Sequence, residues 1–354
     1  MKKVLITTGG TGGHIYPALT IAKELREKEK EVLFVGSDYR MEKEIIPENN
    51  FKYIGLPIRP FKNLSSLWLL LKAIIKSLKI IRKEKPDIII GFGNYITVPV
   101  LIAGILKRKD IYLQEQNVEM GMANKLFYKF SKKTFLSFEK TFNSIPLKYS
   151  EKVILTGNPI RKEFHILDKK EEREKLKVKK DEKILLILGG SLGAKNINDV
   201  ILNNWERLLK VSNVRIYWGT GKNNFKEINE KITKRKQNDV IKPYFKNIGE
   251  VMAASDLMIG RAGATIISEL IELQKPSILI PHESVGQMEN ARILEKNKSS
   301  KIYRNKDVEK AINEALILIN DDEELKKMSY NLKKMKIGNA KDKIINELGI
   351  WRNR

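Results

Sequence analysis

Short runs of valine, isoleucine and leucine recur from end to end of the chain. Each is too brief for a helix, and most end in a glycine-bearing loop followed by helical spacing. A strand buried on both faces, a tight turn and an amphipathic helix make the βαβ unit of a parallel sheet, so this alternation predicts an α/β fold. The first half supplies such runs at residues 4–6, 32–35, 87–90, 111–113 and 153–155. A charged, loop-like stretch follows over 165–183. After it, "ILLILGGSLGAKNINDVI" repeats the opening order of strand, glycine turn and helix, and "VRIYW", "DLMI" and "PSILI" continue it.

With 354 residues the chain exceeds one core of usual size. The echo predicts two doubly wound, Rossmann-like domains, joined near residues 160–180 and facing a cleft. The boundaries read as 1–163, 164–335 and a C-terminal helix over 336–354 that packs back on the N-terminal domain. Ligands of such sheets sit outside the carboxyl ends of the strands. Seven loops occupy that position here: "GGTGGH", "GFGNY", "QEQN", "TGNPIR", "GGSLGA", "GTGK" and "RAGAT".

Glycine lets backbone amides approach an anion closely, and a helix N-terminus adds N–H donors and partial positive charge. In "TTGGTGGHIYP" Pro17 is expected in the first turn of a helix, with His14, Ile15 and Tyr16 at its mouth. The spacing matches neither G-x-G-x-x-G nor the P-loop, which disfavours a dinucleotide or P-loop ATPase. His14 is the only histidine in a glycine loop, and an imidazole suits a base acting on a hydroxyl. Glu115 in "LQEQN" is the rival base, its alternative role being to orient loop amides. The chain has no cysteine, which excludes disulfides and thiolate sites. It has no Asp-x-Asp pair either, and its three histidines stand far apart in sequence, so no metal site is expected.

The motifs "GGTGGHIYPALTIA", "EQNVEMGMANK", "GNPIR", "GGSLGAKNIN" and "RAGATIISEL...KPSILIPHESVGQMENA" together resemble the MurG family, running in family order from residue 9 to 291. The resemblance implies a type B glycosyltransferase fold. It implies inverting transfer of N-acetylglucosamine from UDP-N-acetylglucosamine to the C4 hydroxyl of the muramyl sugar of lipid I, giving lipid II for peptidoglycan. It places Thr11, Gly12, Gly13, Asn117 and Arg161 on the donor in the first domain. In the second it places Ser191, Phe245, the run Ala264, Thr265, Ile266, Ile267, Ser268 and Glu269, and Gln287. Asn94, Tyr95 and Asn124 fall on the acceptor side. Arg161, Ser191 and the loop amides suit the charge of departing UDP, so neither metal nor cofactor is expected. Glu269 suits the ribose hydroxyls, or simply the positive end of its helix. Gln114, Asn94 and Leu192 stand where relatives commonly have histidine, glycine and glutamine.

A lipid-linked acceptor needs a surface that meets the bilayer. In "FKNLSSLWLLLKAIIKSLKIIRKEK" helical spacing puts Leu67, Leu71, Ile74, Leu78 and Ile81 on one stripe, expected as core. Lys72, Lys76, Lys79 and Lys83 form another. Trp68, Leu69 and Ile80 flank the lysines, so Trp68, Leu69, Lys72, Lys76 and Ile80 are expected to meet anionic headgroups. The net charge of +24 agrees with an anionic partner. No run approaches the length of a membrane span or signal core; the resemblance implies a peripheral protein on the cytoplasmic membrane face, with cell-wall and division proteins among its partners. Two other readings stand beside this one: another UDP-sugar enzyme of the same fold, such as a glycolipid synthase or an epimerase, and a basic module acting by charge alone. For nucleic acid no reading motif is present.

Overall fold

The computed structural model describes residues 2–61, 63–190, 193–283 and 286–349. The chain forms two compact units, residues 1–161 with 337–354, and residues 162–336. In the first, β1 (Lys3–Thr7), β2 (Glu31–Ser37), β3 (Lys52–Leu56), β4 (Ile88–Gly91), β5 (Asp110–Glu115), β6 (Lys133–Leu136) and β7 (Val153–Leu155) pair in parallel in the order β3-β2-β1-β4-β5-β6-β7. The second holds β8 (Lys183–Leu188), β9 (Val214–Gly219), β10 (Val240–Lys242), β11 (Leu257–Gly260), β12 (Ser277–Leu279) and β13 (Ser300–Ile302), parallel in the order β10-β9-β8-β11-β12-β13. Both orders reverse beside their first strand, as in doubly wound sheets.

Parallel strands need crossovers, and here helices cover both faces, so the central strands are apolar without a break. Their alternation still assigns faces. In β1, Val4 and Ile6 join Ile15, Ile21, Leu25 and Phe34 on one face, whereas Leu5 joins Leu33, Ile89 and Leu113 on the other. The second unit has one large cluster in which the Trp205 and Trp218 rings lie 5.8 Å apart.

The sequence reading passed over β3, β6, β10 and β13. Three of the four lie at sheet edges, and all are short and carry lysine. The charged stretch over 165–183 is not simply a loop either. It contains the helix Lys169–Lys175, capped by Asp168, which accepts from the amides of Lys170 (2.8 Å) and Glu171 (3.1 Å). Its Lys169 and Arg173 bind the buried carboxylate of Asp256, so it belongs to the second unit. Burial would raise the Asp256 carboxyl, but these two cations outweigh burial and hold it below the usual range.

The helix Ala340–Glu347 returns to the first unit. Ile344, Ile345 and Leu348 join the cluster under the helix Gly12–Glu27, Lys341 pairs with Glu24, and the Tyr112 hydroxyl donates to the carbonyl of Leu348 at 3.3 Å. Ile344→Ala is expected to destabilise this unit by about 2–4 kcal/mol, read as a lower urea midpoint. At Glu24, burial pushes the carboxyl up, yet Lys341 and Lys28 hold it below its ordinary value. A group depressed in the folded state contributes stability above its unfolded value and loses it as pH falls. Glu24→Gln should therefore cost about 1 kcal/mol at neutral pH, and urea titrations should show that difference shrinking on acidification through the carboxylate range.

Candidate active site

In the first unit the winding reverses between β1 and β4, and the two loops that leave these strands meet there. The helix after β1 begins at Gly12, with Thr11 as its N-cap in an extended conformation. His14 and Ile15 donate their amides to the carbonyl of Thr11 at 3.1 and 3.2 Å, so His14 lies on the first helical turn. Pro17 is inside this helix, not in its first turn as the sequence suggested. The two bonds onto Thr11 start the helix early, in a glycine pair that proline does not constrain.

Two residues hold the loop, one of which, Glu42, sequence reasoning did not single out. Glu42, fully buried, accepts from the amides of Gly10 (2.9 Å) and Ser37 (3.0 Å) and from the Ser37 hydroxyl. Asn94 donates to the carbonyl of Gly9 at 3.2 Å. Gly10 has φ +89°, and a Cβ there would lie 2.3 Å from Asn94 Nδ2, so only glycine lets the two loops close. Asn94 is thus a brace of the loop. Tyr95 shares a hydrogen bond with Tyr39 across their hydroxyls, and burial together with that bond pushes its phenol up to about 12.

His14 Nδ1 lies 2.8 Å from Gln116 Oε1. Beside this pair Gly93 has φ +75°, and a Cβ there would crowd Asn124 Nδ2 at 3.2 Å, so glycine suits the turn. Glu115, the rival base, is 1% exposed. One of its oxygens accepts from the Asn117 amide (2.9 Å) and side chain (3.3 Å). The other accepts from the Gly121 amide (2.9 Å) and Asn124 Nδ2 (2.8 Å). Four donors on a buried carboxylate make it a strut of the loop after β5, the amide-orienting role that was the alternative to a base. Asn117 and the fully buried Asn124 belong to the same strut. The Arg161 guanidinium lies over the Tyr16 ring, 5.5 Å from its centroid, beside the helix that carries His14.

The second unit repeats the arrangement between β8 and β11. Ser191 and Leu192 lie outside the described residues. Phe245 packs on Tyr217, with ring centroids 5.9 Å apart. The helix Ala264–Glu272 follows β11 through Gly263; Thr265, Ile266 and Ser268 are half-buried, and Ala264 is buried near its start. Ile267 is fully buried and its amide bonds the carbonyl of Gly263, so its side chain faces the core. Glu269 is buried one turn further along. Gln287 Oε1 accepts from the amides of Ala262 (3.2 Å) and His282 (3.0 Å), tying the loops after β11 and β12 together. Arg261 was quoted only as part of a motif. It joins the Ile280 carbonyl, Asn305 and Asn196 at 2.6–2.8 Å, and burial lowers its guanidinium.

A cavity of about 680 Å³ opens in the second unit at the opposite edge, where Lys183, Asp256, Lys275 and Pro276 stand at the amino ends of the strands. Ion pairs Lys169–Asp256, Lys183–Asp322 and Lys336–Glu272 cross its walls, and it does not touch the glycine loops. Among the described residues no group of three or more His, Asp or Glu side chains is placed to hold a metal ion.

The helix Leu64–Glu84 is capped reciprocally by Asn63 and Ser66. Its buried face is Ser66, Ala73, Ser77, Ile80 and Ile81. Ile80 therefore packs in the core, which corrects its placement at a membrane. Leu67 and Leu71, expected as core, are exposed together with Trp68 and Ile75. Leu69 is half-buried, Lys72 lies over the Trp68 ring at 5.2 Å, and Lys76 reaches back to the Gly55 carbonyl at 2.7 Å. No helix among the described residues is long and apolar enough to cross a membrane.

Residues 4–136 match the glycosyltransferase family 28 N-terminal domain and residues 184–346 the family 28 C-terminal domain. A protein of Fusobacterium nucleatum named UDP-N-acetylglucosamine–N-acetylmuramyl-(pentapeptide) pyrophosphoryl-undecaprenol N-acetylglucosamine transferase is 51% identical over 355 residues, covering 100% of this chain and 99% of the relative. A protein of the same name from Halothermothrix orenii is 36% identical, covering 97% of each. Among solved structures, Acinetobacter baumannii MurG superposes with a TM-score of 0.77 at 23% identity, over 98% of this chain and 99% of that one, a likeness of fold. Both domain matches, in order and with a relative half identical over its whole length, establish that this chain belongs to glycosyltransferase family 28.

Proposed function

We propose that the chain moves N-acetylglucosamine from UDP-N-acetylglucosamine to the C4 hydroxyl of the muramyl sugar of lipid I, forming lipid II with inversion. The full-length 51% identity to a relative named for that transfer carries the reading. The site geometry supports it, because glycine loops at two winding reversals offer helix N-termini to a pyrophosphate. In this reading His14 takes the hydroxyl proton as the oxygen attacks C1 of the donor sugar. The bond from C1 to UDP breaks, and UDP leaves with the electron pair. Inversion follows from a single displacement.

Each unit brings donors suited to a departing pyrophosphate, Arg161 and loop amides in the first and Ser191 and loop amides in the second, and on that ground we assign the transfer to the protein's own donors without a metal. Thr11, Gly12 and Gly13 contribute on the first unit; Phe245, Gln287, Glu269 and the start of its helix hold the nucleotide on the second. Asn94, Tyr95 and Asn124 shape the acceptor side. The surface of Leu67, Trp68, Leu71 and Ile75 beside Lys72 and Lys76 is assigned to an anionic membrane, which would place the enzyme peripherally where lipid I is presented.

UDP release from UDP-N-acetylglucosamine, followed with EDTA present, is expected to require a lipid I analogue. Release without the analogue would instead indicate an epimerase or hydrolase. For the surface, Trp68→Glu should weaken binding to anionic vesicles by about tenfold in a sedimentation assay while UDP affinity is unchanged. Equal vesicle binding by both proteins would remove the membrane assignment.

A further inference from the structure

Behind His14 runs a chain of buried, uncharged side chains that the transfer as described does not use. Ser137 donates its hydroxyl hydrogen to the carbonyl of Glu115 at 2.7 Å, so its oxygen is left to accept from Gln114 Nε2 at 3.0 Å. Gln114 Nε2 also donates to the Glu115 carbonyl at 3.2 Å. A carbonyl can only accept, which fixes that amide with its oxygen toward Gln116. Gln116 Nε2 then donates to Gln114 Oε1, to the Gln114 carbonyl (3.3 Å) and to the Phe92 carbonyl (3.1 Å). All three are acceptors, so Gln116 Oε1 must be the atom facing His14 Nδ1. Gln114, Gln116 and Ser137 are each no more than 2% exposed, which leaves the chain no room to reverse against water.

We infer that Gln116, held by Gln114, is a positioning residue that fixes His14 as the Nδ1–H tautomer and leaves Nε2 as the ring nitrogen able to take a proton. An oxygen that is only an acceptor demands a hydrogen from Nδ1, and a neutral imidazole carries one hydrogen, so Nε2 bears the lone pair. Among the described residues Nε2 has no hydrogen-bond partner. The task a carboxylate performs in a Ser-His-Asp triad is performed here by an uncharged amide whose direction is set two residues away. Gln114 is what sets that direction. The inference rests on the reading of His14 as the base of the transfer.

The test is nitrogen NMR of protein labelled with ¹⁵N-histidine, which has three histidines, the His14 signals being identified by His14→Asn. When the ring is neutral, His14 should show a pyrrole-like Nδ1 and a pyridine-like Nε2. Gln116→Leu should move the signals toward the other tautomer and lower kcat by about 10- to 100-fold with KM for UDP-N-acetylglucosamine unchanged. Gln114→Leu, which leaves Gln116 in place, should produce the same tautomer shift more weakly and shows that the first effect is not misfolding. A pyrrole-like Nε2 in the unaltered protein, or full kcat in Gln116→Leu, would overturn the inference. The tautomer is read without turnover, so absence of transfer to a lipid I analogue would instead overturn the functional reading.

Discussion

The reversal of winding beside the first strand of each sheet is the constraint on which the rest depends. The crossovers on the two sides of β1 leave toward opposite faces, so no helix closes the space beyond its carboxyl end. Chain entering that space has backbone groups with no ladder to join, and each needs a partner. Glu42 supplies acceptors to Gly10 and Ser37, and Asn94 supplies a donor to Gly9. Those contacts hold the loop in a form whose glycines bring His14 to the mouth of a helix. The β8/β11 reversal is treated the same way by Gln287 and Arg261.

Charge around the first reversal is distributed by task. Two buried carboxylates near the loops, Glu42 and Glu115, accept three and four hydrogen bonds from N–H and O–H donors and serve as struts. Burying a carboxylate is tolerable only with such partners, and once it has them its lone pairs are no longer available to a hydroxyl. The imidazole, bound at one nitrogen by an uncharged amide, is the group left with a proton acceptor. The division separates groups that hold the backbone from the group that does chemistry.

The helix Leu64–Glu84 shows how size governs a buried face. Its inner side is built on Ser66, Ala73 and Ser77, and small residues let it lie close to the helix Val98–Leu106, against which it packs. Ile80 and Ile81 are buried toward its C-terminal end, while its first half carries large apolar residues on the outer side. Leu67, Trp68, Leu71 and Ile75 therefore stand beside lysines on the surface, a wider apolar face than spacing alone suggested.

Sequence alone determined the class of fold, the doubling of the sheet and the loops that carry the site, because strand runs, glycines and helix spacing are local features that one stretch of chain fixes by itself. Most central strands were legible since burial on both faces leaves them apolar; β3, β6, β10 and β13 were not, because each is short, carries a lysine and is stabilised by its neighbours rather than by its own composition. His14 was legible in its glycine loop. Glu42 and Gln116 were not, for each acts on a partner distant in the chain, 32 residues away for Glu42 and Gly10 and 102 for Gln116 and His14. Only the tertiary structure could decide that Glu115 is a strut, that Ile80 and Ile267 face the core and which ring nitrogen of His14 is free. Each of those is a question of which atoms meet, and hydrogen-bond direction and burial exist only once distant segments are packed together.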